Sequence, residues 1–470
     1  MDPTDTFSNF SRRHFLKATA ATATAFSFLP RHVLGGPKFV GPNEKVNVAI
    51  VGCGGQGRSN IKELLKLDDV RIIAIADPAE SFSLADFYYK GVAGRLPIKE
   101  MIEKHYQQQD PKFRCADYVD FREMLEKEKA IDAVLVATPD HLHAYVSVVA
   151  MRAGKHVYCE KPLTHNIWEA RHVAKVAAET GVATQLGSQG HSSVGTRETI
   201  ELIQDGAIGA IREIHAWAGT GRWNAGLKGR PEGKSPVPSG VNWDLWLGPR
   251  EERPFDPAYF PVAWRDFWDF GTVGIGDIGC HDLNSAVRSL DLPLPSRIEG
   301  AGAGEMNDEI GPYGSIVNYD FEGKGDRPPV KLTWYDGGLV PETHPLLRGV
   351  ARPKRGSVYI GEKGVIQCAG NGGPPDLYLT DKGANHPKPA ARLKRSNGHH
   401  RDWIDAIKGG DPASSPFDYA AHLTEIVLLG VLSLRTRQAI EWDAPNMKAK
   451  GFVGADKFIR ETCRKGWEIV

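Results

Sequence analysis

The segment with the clearest chemistry is glycine-rich and reads Gly52-Cys53-Gly54-Gly55-Gln56-Gly57. In such a G-x-G-x-x-G pattern the first glycine allows a tight turn, and the second lets the backbone approach a pyrophosphate. The third lets a helix pack closely on a strand. Glycine clusters also make plain turns, so the motif indicates a dinucleotide site only between a strand and a helix. We expect Gly55 and Gln56, which lie within the motif, to contact the cofactor as well.

A carboxylate follows the motif at the distance that a ribose contact requires. Asp77 stands 25 residues after Gly52, at the end of a second apolar segment. Its side chain can accept hydrogen bonds from the ribose hydroxyls and would repel a 2′-phosphate. The next residues are Pro78, Ala79 and Glu80, without Arg or Lys, so the sequence favours NAD over NADP. The alternative is a turn aspartate before a proline.

The surrounding elements alternate between strands and helices. Residues 45–51 and 70–76 are short apolar runs rich in β-branched residues, and a helical pattern at Ile61, Leu64 and Leu65 lies between them. Residues 80–115 are long and mixed, and we interpret them as an insertion. The alternation predicts a Rossmann-type doubly wound parallel sheet over residues 37–190. The later predicted elements are strands at 131–137, 156–159 and 182–186 and helices at 140–153 and 166–180.

The patterning changes after residue 191. Residues 315–321 and 330–335 alternate between apolar and polar side chains, which is typical of strands in an antiparallel sheet. We therefore predict a second α+β domain over residues 191–445 with an open antiparallel sheet. Helices at about 400–437 are expected to pack back on this sheet, and residues 446–470 are expected to form a C-terminal tail.

Three further motifs follow the glycine motif: Ala137-Thr138-Pro139-Asp140-His141-Leu142-His143, Glu160-Lys161-Pro162 and Gly276-Asp277-Ile278-Gly279-Cys280-His281. The pair Trp264-Arg265 precedes the last of them. In this order the four motifs resemble those of the glucose–fructose oxidoreductase, inositol dehydrogenase and rhizopine catabolism (Gfo/Idh/MocA) family, and the resemblance covers roughly residues 45–445. Residues 242–249 look like those of a branch of this family whose members are often exported.

The resemblance implies a catalytic group of Lys161, Asp277 and His281. Histidine can take the proton of a hydroxyl near neutral pH while a hydride leaves the carbon. Lysine can stabilise the negative charge that develops on the substrate oxygen. Asp277 and His281 are four residues apart, so on a helix the carboxylate could orient the imidazole. The further cofactor contacts that the resemblance implies are Thr138, Pro139, His143, Glu160 and Lys161, with Gln189 and His191 near the nicotinamide or the substrate.

Each of these assignments has a structural alternative. His281 could bond to backbone at a helix start, Lys161 could be an exposed loop residue, and Asp277 could cap a helix that begins near Ile278. The sequence also departs from the family, since Asn284 stands where many members have an aspartate, and Asp282 lies beside the histidine instead. The pair His141 and His143 could suggest a metal, but without further ligands we interpret it as structural and predict no metal.

The substrate that the resemblance implies is a sugar, a polyol or a glycoside. Tryptophans crowd the second half, and exposed ones commonly stack on sugar rings, although most are expected to be core aromatics. We single out Trp264, because Arg265 beside it can bond hydroxyls or a carboxylate. The family's open sheet also packs dimers, which implies a homo-oligomer, either a dimer or a tetramer.

The N-terminal residues 11–17 read Ser-Arg-Arg-His-Phe-Leu-Lys, the pattern of a twin-arginine export signal. The apolar run that follows has about 12 residues, too few for a stable membrane span, which needs roughly 20. A chance basic pair on a tail is the alternative. We expect residues 1–36 to be recognised by the twin-arginine translocation machinery and the protein to be periplasmic or otherwise exported.

Composition narrows the function further. Lys plus Arg and Asp plus Glu both total 58, so the chain lacks the basic excess expected of a nucleic-acid-binding protein. The six cysteines include no C-x-x-C pair and predict reduced thiols. Two enzymatic hypotheses remain: an NAD(P)-dependent oxidoreductase with tightly held NAD, and a glycoside-cleaving enzyme that oxidises its substrate only transiently. A third hypothesis is a non-catalytic NAD-binding protein.

Overall fold

The computed structural model describes residues 44–384 and 386–469, and residues 46–470 belong to one compact unit. The export signal predicted for residues 1–36 lies outside the described residues. Two sheets organise the compact unit, one parallel and one mixed.

The first sheet has six parallel strands in the order β5-β2-β1-β6-β7-β8. Its central strands are buried on both faces, which explains their continuous apolar runs. The order reverses between β1 and β6, so the carboxyl ends of these two strands flank a crevice where ligands bind in such sheets. The predicted parallel sheet is confirmed. The strands are β1 (Val46–Val51), β2 (Val70–Ala76), β5 (Ala116–Tyr118), β6 (Ala133–Val136), β7 (His156–Glu160) and β8 (Thr184–Gly187).

Helices cover the two faces of this sheet. The best-defined start belongs to the helix after β7, where Asn166 and Glu169 form a reciprocal capping box. The helix after β6 is buried along most of its length, since it lies between the sheet and the second half of the chain. These helices are α1 (Gly55–Leu64), α3 (Phe121–Lys127), α4 (Asp140–Arg152) and α5 (Ile167–Thr180).

The predicted insertion at residues 80–115 contains a short hairpin and a helix. The hairpin pairs β3 (Phe82–Ser83) with β4 (Val92–Ala93), and α2 (Arg95–Tyr106) follows it. Arg58 of α1 donates hydrogen bonds to three carbonyl oxygens of residues 89–92. The hairpin is therefore fastened to the helix that begins at the glycine motif.

The second sheet has nine strands in the order β15-β14-β13-β9-β12-β11-β10-β16-β17. Its pairs are antiparallel except for β9 with β12, so the predicted open antiparallel sheet is confirmed with one parallel pair. The predicted strands at 315–321 and 330–335 are β11 and β12. The strands are β9 (Ile211–Trp217), β10 (Arg297–Ala303), β11 (Gly314–Phe321), β12 (Val330–Tyr335), β13 (Gly356–Gly361), β14 (Gly364–Ala369), β15 (Pro375–Leu379), β16 (Ile440–Asp443) and β17 (Lys448–Ala449).

A long helix joins the two sheets. It is the penultimate one, and by length and composition it could cross a membrane, but 78% of its apolar window is buried inside the protein. It packs on α5 from the first half and on β10 from the second. The helices of the second half are α6 (Val194–Gln204), α7 (Trp243–Leu247), α8 (Val273–Asp282), α9 (Asn284–Ser289), α10 (His399–Ile407), α11 (Phe417–Thr436) and α12 (Asp456–Ile459).

The start of α8 corrects one expectation. A helix beginning near Ile278 would place Asp277 at its cap, but α8 begins at Val273 and Asp277 lies inside it. Gly274 and Gly276 argue against helix by propensity. Tight packing explains them, because an added Cβ would lie 2.5 Å from Asp336 Oδ2 at Gly274 and 2.0 Å from Thr272 Oγ1 at Gly276.

Residues 446–470, expected to be a tail, contain β17 and α12 and are anchored at two buried side chains. Ile459 packs in the core of the second sheet. Trp467 packs on Tyr145 of α4, with ring centroids 4.9 Å apart. The end of the chain therefore returns to the first half.

Candidate active site

The glycine motif connects β1 to α1 in a conformation in which other backbone atoms exclude a side chain at Gly52 and at Gly57, and the Tyr89 ring excludes one at Gly55. Gly52 has φ +96°, and a Cβ there would lie 2.5 Å from Ala137 O. At Gly57 a Cβ would lie 2.1 Å from Gly52 O. Gly54 differs, since its nearest neighbour would be the Phe82 ring at 4.0 Å. The loop therefore packs tightly against the protein at Gly52 and Gly57, whereas space remains beside Gly54.

The open side suits a phosphate. Within the described part of the chain, no side chain caps the N-terminus of α1. Its first N–H groups and the positive end of the helix dipole are therefore available to an anion. These features fit the pyrophosphate of a dinucleotide, which the missing Cβ at Gly54 would allow to approach the backbone.

Asp77 lies at the carboxyl end of β2 beside this loop. Its carboxylate accepts hydrogen bonds from the backbone N–H groups of Cys53 (2.6 Å) and Ala79 (2.8 Å). Burial raises the pKa of Asp77 to about 6. The nearby cation Arg95 forms an ion pair with Asp117, with Nη1 and Oδ2 2.5 Å apart. The Asp77 carboxylate is therefore placed to accept hydrogen bonds from a ribose diol, and its negative charge would repel a 2′-phosphate.

A cleft of about 850 Å³ runs from this loop towards the second half. Gly57 lies behind the loop rather than on the cleft wall, because its role is helix packing. The predicted cofactor residues that line the cleft are Gly52, Gly54, Gly55, Gln56, Asp77, Thr138, Pro139, His143, Glu160 and Lys161, and the predicted substrate residues Trp264 and Arg265 line it as well.

Glu160 ends β7 at the bottom of the cleft and is held by three amides. Gln56 Nε2 (3.1 Å), Asn60 Nδ2 (2.8 Å) and Gln189 Nε2 (3.0 Å) all donate to Glu160 Oε1. Burial raises the pKa of this carboxyl. Gln189, predicted to approach the cofactor, therefore contacts the network that supports the cleft floor.

His143 bridges the loops that follow β6 and β7. Its Nδ1 lies 2.6 Å from Pro162 O and its Nε2 lies 2.9 Å from Thr138 O. The ring is 1% exposed. Its contacts fix the shape of the cleft wall beside Thr138 and Pro139.

Lys161, which lines the cleft, forms an ion pair with Asp277, with Nζ and Oδ1 2.5 Å apart. Burial disfavours the charge of Lys161, but the negative charge of Asp277 outweighs it and raises the pKa of the lysine. Burial likewise opposes the charge of Asp277, yet Lys161 and then Arg265 lower its pKa below the ordinary range. Arg265 Nε lies 3.5 Å from the same carboxylate oxygen. Two cations thus share one carboxylate.

His281 lies one helical turn after Asp277, at the end of α8. Its Nδ1 lies 3.3 Å from Ser188 Oγ. No hydrogen bond joins Asp277 to His281 among the described residues, so the expected carboxylate–imidazole contact is replaced by one between Asp277 and Lys161. Burial, followed by the charge of Lys161, lowers the pKa of His281 well below its ordinary value. The imidazole is neutral and can accept a proton.

The positions where the chain departs from its relatives are both buried. Asn284 Oδ1 lies 2.7 Å from His191 Nδ1 and accepts a hydrogen bond from Tyr419 Oη at 2.6 Å. His191 is thus held at the start of α9 and lines a different cavity. Asp282 accepts hydrogen bonds from Arg355 Nε (2.5 Å) and from the backbone N–H of Asn371. Asp282 thus fastens the end of α8 to its neighbours, and Asn284 fastens the start of α9.

Trp264 is 4% exposed and packs in an aromatic cluster with Trp246 and Phe267. A substrate contact at Trp264 remains a prediction. Next to Arg265 of the cleft, the exposed Tyr88 ring stacks on the half-buried Trp223 ring, a pair that sequence reasoning missed. The aromatic run Phe87-Tyr88-Tyr89 within a polar insertion could have indicated Tyr88 from the sequence. Trp223 is one of many tryptophans in the second half, so nothing in the sequence distinguishes it.

His141, the other histidine of the predicted pair, contacts backbone carbonyl groups. His141 is 1% exposed, and its ring nitrogens face Trp246 O at 3.0 Å and Phe270 O at 3.4 Å. Within residues 44–384 and 386–469, no group of three or more His, Cys, Asp or Glu side chains is arranged to hold a metal ion. Cys463 is partly exposed, while the other five cysteines, all free, are buried.

Comparison with known proteins assigns both halves of the chain. The profile of an oxidoreductase family with an NAD-binding Rossmann fold matches residues 46–188. The C-terminal alpha/beta domain of the same family matches residues 193–324. The first half is therefore an NAD-binding domain, as the glycine motif and Asp77 predict.

Curated relatives include enzymes of two kinds. A Glycosyl hydrolase family 109 protein of Stenotrophomonas maltophilia (strain K279a) is 29% identical over 237 residues, 49% of this chain and 47% of the relative. A 1,5-anhydro-D-fructose reductase of Ensifer adhaerens is 39% identical over 99 residues, 20% of this chain and 29% of the relative. The chain thus matches less than half the length of each.

Among solved structures, the fold is similar to that of the WlbA dehydrogenase from Bordetella pertussis in complex with NADH and UDP-GlcNAcA. The TM-score is 0.57 at 15% sequence identity, over 85% of this chain and 98% of that chain. At this identity the similarity concerns the fold.

Proposed function

Because the chain belongs to the Gfo/Idh/MocA family of oxidoreductases, we propose that it is an exported enzyme that interconverts a hydroxyl and a ketone on a sugar or polyol. We further propose that it holds NAD tightly while doing so. The observation that carries the proposal is the ion pair of Lys161 with Asp277, close to the neutral His281, at the cofactor cleft.

Different side chains at the cleft are proposed to carry out different parts of alcohol oxidation. NAD, when bound, would supply the hydride acceptor, and the glycine motif and Asp77 would hold it. His281, kept neutral by burial and by Lys161, takes the hydroxyl proton. The ammonium of Lys161 donates a hydrogen bond to the same oxygen and stabilises its developing negative charge. Asp277 keeps that ammonium charged and holds it through the hydrogen bond from Nζ to Oδ1.

Export explains why the cofactor should be held tightly. The twin-arginine route carries folded proteins, and residues 11–17 match its signal. Since NAD is not expected outside the cytoplasmic membrane, the cofactor would have to travel inside the folded protein. A double variant, Arg12→Lys with Arg13→Lys, should stay in the cytoplasm. Equal export of variant and wild type, measured by cell fractionation, would refute this part of the proposal.

A second function is favoured by one specific observation, the similarity to glycosyl hydrolase family 109 proteins. The same groups could pass a hydride from one carbon of a glycoside to NAD, and the resulting ketone would acidify the neighbouring C–H bond. Loss of that proton would expel the aglycone, after which addition of water and return of the hydride would give the free sugar. Such a cycle has no net redox change. It suits an exported protein, because no free NAD would be needed to reoxidise the bound cofactor.

One set of measurements separates these functions. The purified protein is denatured, and mass analysis of the released cofactor is expected to find NAD(H). NADP(H) would overturn the role of Asp77. The native protein is then mixed with free sugars and with 4-nitrophenyl glycosides. Reduced cofactor that accumulates stoichiometrically with a free sugar supports the oxidoreductase. Repeated release of nitrophenol with no net cofactor reduction supports the glycosidase, and neither reaction, with NAD bound, would refute both.

A further inference from the structure

Two aromatic rings outside the cofactor machinery stack on each other beside Arg265, a residue that lines the cleft. Tyr88, from the hairpin of the insertion, is 64% exposed. Its ring stacks on Trp223, with centroids 5.8 Å apart and planes inclined by 23°. A large aromatic side chain that stays this exposed buries little apolar surface, so its contribution to folding is small. Its position therefore points to a role in binding.

The hairpin that carries Tyr88 is held in place. Arg58 Nη2 donates to Lys90 O at 2.6 Å, and Nη1 donates to Val92 O at 3.0 Å. Tyr89 lies over Gly55, and its hydroxyl donates to Gln56 Oε1 at 3.2 Å. Tyr89 is thus committed to the cofactor loop. The Tyr88 ring packs on Tyr89, with centroids 3.9 Å apart and planes inclined by 31°, and keeps most of its surface exposed on a fixed backbone.

Trp223 is held just as firmly on the other side. Its backbone N–H donates to Asp266 Oδ1 at 2.8 Å. The guanidinium of Arg265 lies 5.8 Å from its ring centroid. Arg265 in turn lies 3.5 Å from Asp277, the carboxylate that holds Lys161. A short series of contacts therefore connects the aromatic pair to the proposed catalytic groups.

We propose that Tyr88 and Trp223 bind the apolar face of a pyranose ring and position one of its hydroxyls at Lys161 and His281. This assignment rests on the function proposed above and deepens it by naming the substrate class. Aromatic rings pack against the C–H face of a sugar ring, while its hydroxyls find polar partners such as Arg265. Because Tyr88 belongs to the insertion, this segment becomes a determinant of substrate specificity.

The test removes the ring and then only its hydroxyl. Tyr88→Ala should raise KM for the best pyranoside by about fivefold to tenfold, the size expected for loss of one aromatic contact. The turnover number should change less than about twofold, since the catalytic groups are untouched. Tyr88→Phe should behave as the wild type, because the ring face is retained. Val92→Ala, exposed in the same hairpin, is the matched control and should alter neither constant.

A binding measurement keeps this inference separate from the catalytic proposal. Saturation-transfer NMR is run on the NAD-loaded full chain with a panel of methyl pyranosides, for the wild type, Tyr88→Ala, Tyr88→Phe and Val92→Ala. Weaker binding in Tyr88→Ala alone supports the inference, even if no sugar is ever oxidised. Unchanged binding in Tyr88→Ala, equal loss in Tyr88→Phe, or no pyranoside binding to the wild type would each overturn it.

Discussion

The cofactor side and the substrate side of the cleft are built by opposite means. On the cofactor side, the six consecutive residues that follow β1 supply backbone N–H groups, and the missing side chain at Gly54 leaves room for the pyrophosphate. On the substrate side, the groups come from separate segments and act through their side chains: Tyr88, Lys161, Trp223, Arg265, Asp277 and His281. The difference shows that a backbone site can be specified locally, whereas a side-chain site requires the whole fold.

The two sides also differ in how burial affects their carboxyl groups. Burial raises the pKa of Asp77 and of Glu160, whose partners are neutral donors. Asp277 is buried to a similar degree, yet its pKa is lowered because Lys161 and Arg265 surround it. On the cofactor side, burial therefore shifts both carboxyls towards the protonated form, whereas the substrate side keeps a fixed negative charge that holds a cation in place.

The largest expected effect is a loss of hydride transfer on the substrate side with no change in NAD binding on the cofactor side. Lys161→Ala should slow hydride transfer to bound NAD by at least about 100-fold, since charge stabilisation of this kind contributes on that order. NAD content should be unchanged, because Gly52, Gly54 and Asp77 hold the cofactor independently. Single-turnover absorbance of the reduced cofactor and mass analysis of the denatured protein measure the two quantities.

The matched control for that variant is Lys129→Ala, an exposed lysine in the loop before β6. It should behave as the wild type in both measurements. His281→Ala should also cost at least about 100-fold, and the double variant should cost less than the product of the two if both groups act on one oxygen. Near-wild-type transfer in either single variant would make that residue structural.

A smaller effect should distinguish two glycines within the cofactor side, one that affects NAD affinity and one that affects stability. Gly54→Ala should lower NAD affinity by about tenfold, because its methyl group would stand where the pyrophosphate approaches the backbone. Its melting temperature should hardly change, since the nearest atom is 4.0 Å away. Gly57→Ala should instead destabilise the fold by about 1–3 kcal/mol, because its Cβ would overlap Gly52 O. Calorimetry with and without added NAD distinguishes the two, and similar melting temperatures for both variants would contradict this assignment.

The smallest effect is a pH dependence of cofactor binding. The folded pKa of Asp77, about 6, lies above the ordinary value of 3.8, so the carboxyl takes up a proton as pH falls through 6. Protonation removes a charged acceptor for the ribose hydroxyls, so NAD should bind about fourfold more weakly at pH 5.5 than at pH 7.5. Titration calorimetry on cofactor-stripped protein measures this. Asp77→Asn should lose this pH dependence, and an identical pH profile in that variant would assign the dependence to another group.

The sequence alone determined the cofactor half. The strand, the glycine motif, the following helix and Asp77 are neighbours in the chain, and their roles depend on backbone conformation and on missing side chains, which residue types reveal directly. The alternation of apolar runs likewise determined the parallel sheet and the two strands β11 and β12.

Only the tertiary structure decided how the substrate half is assembled. The sequence suggested Lys161, Asp277 and His281 through resemblance, but it paired Asp277 with the histidine rather than with a lysine 116 residues away. It placed the helix start near Ile278, because two glycines weaken helix propensity where packing in fact requires them. Tyr88 and Trp223 come together through the crossing of the insertion over the second domain, a long-range contact that no local pattern records.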